Sequence, residues 1–265
     1  MTDVSQYGPW AVIAGGSEGV GAELAHQLAG DGFHLVLVAR KPGPLEATAE
    51  AARALGVQVR TVAADLTDPA AIEAITDATA DVEVGLLIYN AGANSHGRPF
   101  TDGDLAGFRG VIDLNITAML ALTHHYARPM KERRRGGILL VGSLAGYVGT
   151  STEAVYGGAK AFGRIFAEGL WAELRDHGVH VLELVLGVTR TPAMERAGLR
   201  FDVPGLHVSE PADVAREGLA ALAAGPVHVI SGNEALVERR TTSDRARLVA
   251  GTEKVMRMLV PDHRG

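Results

Sequence analysis

The sequence predicts an α/β chain: a doubly wound parallel sheet of about seven strands, flanked by helices and followed by a short C-terminal helical extension. Three observations carry that expectation. Short runs of Val, Ile and Leu alternate with longer segments of helical pattern. The runs are nearly continuous in apolar residues, as strands covered on both faces are. Enough chain separates successive runs to hold the crossover helix that parallel pairing requires.

In order, strands are expected at 10–14, 33–38, 57–62, 84–89, 137–141, 179–185 and 227–230. Crossover helices follow at 19–29, 45–55, 69–80, 104–134 and 152–177. The fourth is long enough to contain a break, and Gly178 is placed to stop the fifth. Residues 233–260 read as two helical pieces whose apolar positions are Leu248, Val255, Met256, Met258 and Leu259. They are expected to cover a sheet edge, with a subunit contact or a pocket lid as the alternative. No repeat or low-complexity linker interrupts the pattern, so one domain is expected over 1–265, with its core at 9–232 and its tail at 233–265.

Composition narrows the partners. Of 265 residues, 47% are apolar but only 5% aromatic, so aliphatic side chains must do most of the packing. A net charge of −6 argues against nucleic acid as a partner. The absence of cysteine excludes disulfides and thiolate metal sites. His124 and His125 adjoin on a helix and face different ways, so no metal is expected. The basic run 131–135 sits where it complements a helix dipole. No 18-residue apolar run and no basic-then-apolar leader stand out, so the expectation is a cytoplasmic protein without a membrane span.

The chemistry concentrates at Ser143, Tyr156 and Lys160. Positions four apart share one helical face, so the Tyr156 phenol and the Lys160 ammonium can point into one site. A free phenol titrates at about 10 and is a poor acid or base at neutral pH; a nearby cation is expected to lower that value. With the Ser143 hydroxyl opposite, these are the parts of a proton-transfer site acting on a carbonyl or alcohol. The same helix carries Gly157, Gly158, Gly163 and Gly169, each costing roughly 1 kcal/mol relative to alanine. Close approach by a cofactor or neighbouring helices near 157–158, and by a second subunit near 163–169, is the expected compensation.

The first strand runs into Gly15-Gly16-Ser17-Glu18-Gly19-Val20-Gly21. Glycines after the first strand of a βαβ unit permit a tight turn and close approach to a pyrophosphate at a helix N-terminus. The spacing is G-x-x-x-G-x-G, and no lysine follows, which excludes the loop of nucleotide hydrolases. The second strand ends at Arg40-Lys41, and no acid occurs from Gly32 to Leu45. Arg40 suits a 2′-phosphate, so NADP is expected over NAD. The alternative is that Arg40 and Lys41 merely solvate a loop.

From about Ala11 to Ser231 these motifs, in this order, resemble the short-chain dehydrogenase/reductase family, an NADP-preferring member with a Rossmann-type fold. The resemblance implies that Asp65, with Leu66 beside it, contacts adenine. It places Asn90-Ala91-Gly92 along the adenosine side and makes Asn115, Ser143, Tyr156 and Lys160 a catalytic tetrad. It gives Lys160 the nicotinamide ribose, Asn115 a water leading from Lys160 to solvent, and Thr191 the carboxamide. Thr189 contributes backbone contacts beside Gly187. Two departures stand out. Leu186 replaces the proline of the family's Pro-Gly element, and Tyr89 replaces an asparagine, where only a local packing effect is expected.

The implied reaction is hydride transfer between NADP(H) and the carbonyl or secondary alcohol of a moderately apolar small molecule. Met194, Leu199, Phe201 and Leu206 are expected on one wall of the site and Tyr147, Val148 and Gly149 on another, with His96 a loop residue nearby. A homodimer or homotetramer is expected. Two alternatives remain open at this point: a non-catalytic NADP-binding sensor, and an epimerase or dehydratase on the same fold.

Overall fold

Branched apolar runs with no polar face settle in a parallel sheet covered on both sides. The computed structural model describes residues 2–259 and has that arrangement. Its elements are, in chain order, α1 (Val4–Tyr7), β1 (Trp10–Ala14), α2 (Gly19–Gly30), β2 (His34–Ala39), α3 (Pro42–Arg53), β3 (Val59–Ala63), α4 (Ala70–Asp77), β4 (Val84–Tyr89), α5 (Leu105–Ile112), α6 (Ala118–Glu132), β5 (Gly136–Ser143), α7 (Ala154–Leu174), β6 (Val179–Leu186), β7 (Val188–Thr189), α8 (Pro192–Arg196), β8 (Val208–Ser209), α9 (Pro211–Ala221), β9 (Val227–Val229), α10 (Glu234–Arg240) and α11 (Arg245–Leu259).

Seven strands form one parallel sheet in the order β3-β2-β1-β4-β5-β6-β9. These are the seven expected runs, with ends moved by one or two residues. β5 and β6 run longer than expected because Gly142 pairs with Val185 and Ser143 with Leu186. Successive strand residues feed opposite cores. Ala11, Ile13, Leu35 and Leu37 pack with Leu24, Leu28, Leu45, Val214 and Leu219 of α2, α3 and α9. Val12, Val36, Leu87 and Ile138 pack with Ile75, Leu122, Tyr126, Met130 and Leu174 of α4, α6 and α7. Each Val, Leu, Ile or Met side chain among these contributes about 1.5–3 kcal/mol by burial. The two-residue ribbon β7–β8 lies outside this sheet and carries no periodic signal in the sequence.

The fourth crossover is irregular rather than broken. Asp104 caps its start, accepting from Gly107 N at 2.7 Å. Between α5 and α6 the helix widens into a π turn, Asp113–Thr117, where Ala118 N reaches back to Asp113 O. Such insertions redirect side chains without ending a helix. Tyr89 holds this one: its hydroxyl donates to Leu114 O at 2.5 Å. The departure at Tyr89 therefore does more than pack locally. Leu105–Glu132 as a whole is long and apolar enough to cross a membrane by length and composition. Phe108, Val111, Met119, Leu122, Tyr126 and Met130 on it are buried within the protein.

α7 ends where expected, in a 3-10 turn closed by Gly178 at φ +68°. The basic run is spent on tethers: Lys131 pairs with Glu173, Arg135 with Glu83, and Arg134 Nη2 donates to Asp176 O at 2.8 Å. The tail makes its contacts at the carboxyl ends of the strands. Arg240 of α10 donates to Leu144 O at 2.7 Å, just after β5. Asn233 is buried beside Gly187, just after β6. Leu259 is buried, and its carbonyl accepts from Arg200 N at 3.1 Å. The tail thus lies beside the ends of β5 and β6. Residue 260 and the Met256 side chain lie outside the described residues.

Tyr89→Phe should leave the Leu114 carbonyl without its partner and cost about 1–3 kcal/mol. Urea denaturation measures this, and unchanged stability would show that the hydroxyl does not hold the π turn.

Candidate active site

Sheet order changes direction between β1 and β4, and strand ends diverge there into a crevice. Backbone hydrogen bonds build its floor. Val38 O accepts from Gly15 N and Gly16 N at 2.8 and 3.1 Å, and Ala14 O accepts from Asn90 N and Ala91 N at 2.9 and 2.7 Å. The Asn90 side chain donates to Gly15 O at 2.8 Å, stapling the two loops together. Gly15 has φ +85°, and a Cβ on it would lie 2.8 Å from Ala91 N. A Cβ on Gly21 would overlap Gly15 O. No side chain caps the start of α2, so its free N–H groups face the crevice as an anion site does.

The rest of the expected cofactor set surrounds this turn. Ser17 O accepts from Thr48 Oγ1 of α3 at 3.1 Å. Glu18 forms an ion pair with Arg196 of α8. Val20 and Leu66 are buried and act as packing residues. Arg40 is exposed at the end of β2. Asp65 accepts from Thr67 N and Thr67 Oγ1 at 3.0 and 2.9 Å, which holds its carboxyl below the usual range, with Arg40 adding to the effect. A glycine cradle and an open helix N-terminus, with Arg40 and Asp65 nearby, fit a dinucleotide.

On the other side of β4, the second half of the site forms. Ser143, at the end of β5, accepts from Ala145 N at 3.1 Å and opens the 3-10 turn Leu144–Tyr147. That turn lies flush on α7, because Gly146 abuts the Lys160 backbone and Gly157 abuts Ala145 O. Gly157 therefore meets the close approach expected of it. A Cβ on Gly158 or Gly169 would meet nothing within 4 Å, and one on Gly163 would lie 3.8 Å from Glu183 Oε1.

Tyr156 and Lys160 share one face of α7, with the Lys160 ammonium 5.7 Å from the centre of the Tyr156 ring. Lys160 Nζ donates to Val141 O at 2.9 Å. The expectation that Lys160 depresses the Tyr156 pKa does not hold in this structure. Burial pushes the phenol up to about 12, the charge of Glu153 adds to the rise, and the Ser143 hydrogen bond only partly opposes it. Burial also lowers Lys160, against the pull of Glu183. The π turn brings Asn115 close: its Nδ2 donates to Ala93 O at 3.1 Å and Val111 O at 2.9 Å. Its Oδ1 is buried without a protein partner. A Cβ on Gly92 would sit 2.8 Å from both Asn115 Oδ1 and Lys160 Nζ, so glycine alone leaves the space between them open.

Replacement of proline by Leu186 extends β6 by a rung opposite Ser143. Thr189 is buried and donates to Gly187 O at 3.3 Å. Thr191 caps α8, accepting from Met194 N at 3.2 Å, and its methyl would lie 3.0 Å from a Cβ on Gly19. Met194 is exposed, and Phe201 lies beneath the Arg190 guanidinium. Tyr147 is covered by Arg164 instead of standing free on a wall, while Val148 is buried. His96 stacks edge-on against Phe108, with Nε2 3.4 Å from Asp104. Among the described residues, no group of three or more His, Cys, Asp or Glu could hold a metal ion.

Sequence reasoning missed Glu183, Asn233 and Arg240. The first left a visible signal, a lone acid within an apolar strand. The other two left none, since nothing local says where a tail folds back.

A family model described as short chain dehydrogenase matches residues 9–199. A very-long-chain 3-oxoacyl-CoA reductase of Laccaria bicolor is 35% identical over 208 residues, 76% of this chain and 61% of that protein. This chain therefore spans less than two thirds of that relative. A solved structure concerned with 7beta-hydroxysteroid dehydrogenase stereoselectivity superposes with a TM-score of 0.87 at 26% identity, covering 96% of this chain and 100% of the other. A short-chain dehydrogenase from Sphingobium yanoikuyae in complex with NADPH gives a TM-score of 0.78 at 29% identity, covering 97% and 98%.

Proposed function

Because the chain belongs to the short chain dehydrogenase family, we propose that it transfers a hydride reversibly between NADP(H) and the carbonyl or secondary alcohol of a moderately apolar substrate. The observation that carries this reading is the convergence of Ser143, Tyr156, Lys160 and Asn115 beside the glycine turn at the carboxyl ends of the strands. NADP(H), when bound, supplies or accepts the hydride. Gly15, Gly19, Gly21 and the open end of α2 hold its pyrophosphate, Arg40 its 2′-phosphate, and Asp65 with Asn90 to Gly92 its adenosine side. Lys160 takes the nicotinamide ribose, and Gly187, Thr189 and Thr191 the nicotinamide side.

Tyr156 gives its proton to the substrate oxygen in reduction. Burial keeps the phenol protonated at neutral pH, so the proton is present to be given. The Ser143 oxygen accepts from Ala145 N and its side chain hydrogen-bonds the Tyr156 phenol, so the hydroxyl turns from the phenol to the substrate oxygen when substrate binds. The Lys160 charge stabilises the phenolate that forms. Asn115 Oδ1 and Lys160 Nζ, facing one space above Gly92, lead the replacement proton inward from water. Such acid–base help is worth about 10²–10⁴-fold in rate.

A bulky alicyclic ketone or alcohol of the steroid class is the favoured substrate. The match to the 7beta-hydroxysteroid dehydrogenase structure takes in nearly the whole chain, tail included, and α10 lies beside the Ser143 loop. A 3-oxoacyl-CoA is the second candidate, from the likeness to the Laccaria protein. A cytoplasmic location without a membrane span belongs to the same reading, because the apolar residues of Leu105–Glu132 named above serve the core. The outer stripe of α7, with Phe162 and Ile165 exposed between the open glycines 158 and 169, suits a second copy of the chain.

NADPH oxidation with a 7-oxosteroid and with a 3-oxoacyl-CoA tests the reaction. Tyr156→Phe should cut kcat at least 100-fold while leaving the NADPH dissociation constant within about threefold by calorimetry; full activity in the variant would overturn the role. Arg40→Asp should lower kcat/KM with NADPH more than tenfold relative to NADH, and a wild-type preference for NADH would refute the cofactor assignment. Sedimentation at micromolar concentration should give a dimer or tetramer, and a monomer would count against pairing through α7.

A further inference from the structure

A central strand of a parallel sheet has little tolerance for charge, yet β6 carries Glu183 at its centre, 2% exposed. Its strand neighbours Leu182, Leu184 and Val185 are fully buried and apolar. The carboxyl is accommodated by missing side chains. Gly142, on β5, has no room for a Cβ because the Glu183 side chain fills that place, and a Cβ on Gly163 of α7 would lie 3.8 Å from Oε1. Two glycines in regular elements thus make the slot in which the acid lies. Glu183 Oε2 is buried there without a hydrogen-bond partner.

The slot adjoins the proton-transfer site. Val141, whose carbonyl holds Lys160 Nζ, precedes Gly142 in β5. From α7 the carboxyl faces the charges of Lys160, Arg164 and Glu168, and from the turn after β5 it faces Tyr147. Around Lys160 itself stand the Tyr156 ring and Asn115 Oδ1.

We propose that Glu183 is a positioning residue that sets the charge of Lys160 from beneath, through the slot between Gly142 and Gly163. The inference rests on the Tyr156–Lys160 reading above. Ionised, Glu183 keeps Lys160 an ammonium; protonated, it withdraws that support. Burial raises the carboxyl and lowers the amine, while each opposite charge moves its partner back toward its ordinary value. The two buried charges are therefore coupled. A purely structural acid in this slot has no such effect, and an apolar residue fills a sheet interior with less strain.

Infrared difference spectroscopy across pH tests the coupling without any substrate. Wild type should show the band of a protonated buried carboxyl at neutral pH, lost as pH rises and absent in Glu183→Gln. Lys160→Met removes the cation that lowers the Glu183 pKa, so the band should persist to higher pH, by about 1–3 units. The band's absence from wild type, or an unchanged titration in Lys160→Met, overturns the proposal even if Glu183→Gln fails to fold. With a 7-oxosteroid or 3-oxoacyl-CoA that is turned over, Glu183→Gln should move the alkaline limb of kcat to lower pH, because Lys160 then loses its proton sooner. An unmoved limb overturns it. Tyr156→Phe separates the two readings: it should abolish turnover and leave the Glu183 band in place. Retained turnover there sinks the catalytic reading, whereas the response of the band to Lys160→Met judges the coupling alone.

Discussion

Two carbonyl oxygens, Val38 O and Ala14 O, each accept a pair of adjacent backbone N–H groups where β1, β2 and β4 end. Everything at the carboxyl end of the sheet depends on that arrangement. It turns the chain sharply after β1 and after β4, and it can do so only where side chains are absent or small. Gly15 and Gly21 are the direct result, and the Asn90 staple is its reinforcement. The dinucleotide crevice is thus the shape of a sheet whose strand order reverses between β1 and β4.

The second half of the site follows a different rule. It is held by close contact between elements that have given up side chains. Gly146 and Gly157 let the Ser143 turn lie directly on α7, so the serine, the tyrosine and the lysine are fixed relative to one another by backbone packing rather than by long flexible side chains. Preorganisation of this kind is what an acid–base site requires, since a proton donor must already lie at the right distance from its acceptor. The cost of interior glycines is offset by the rigidity they permit.

Much of this was legible in the sequence for a physical reason. Strands buried on both faces write themselves as runs such as 84–89 and 179–185, and the glycine spacing at 15, 19 and 21 reflects a local turn. Ser143, Tyr156 and Lys160 lie close in sequence because one turn and one helix present them. What stayed hidden was non-local or electrostatic. Nothing in Asp-Leu-Asn-Ile announces a π turn, because its cause is Tyr89, 25 residues away. The tail's return to Leu144 depends on Arg240, 96 residues on. Helical spacing reveals a neighbouring cation but not the extent of burial, and burial is the larger effect on the Tyr156 phenol.

Thr191 occupies an unusual position between these halves. Its hydroxyl begins α8, and its methyl rests on Gly19 of the phosphate turn. One residue therefore joins the glycine turn after β1 to α8 and the segment that follows it. The chain beyond it, 192–206, can be rebuilt for a new molecule while its starting point stays registered to the phosphate turn. A single threonine thus carries the register of the glycine turn into α8, whatever sequence follows it.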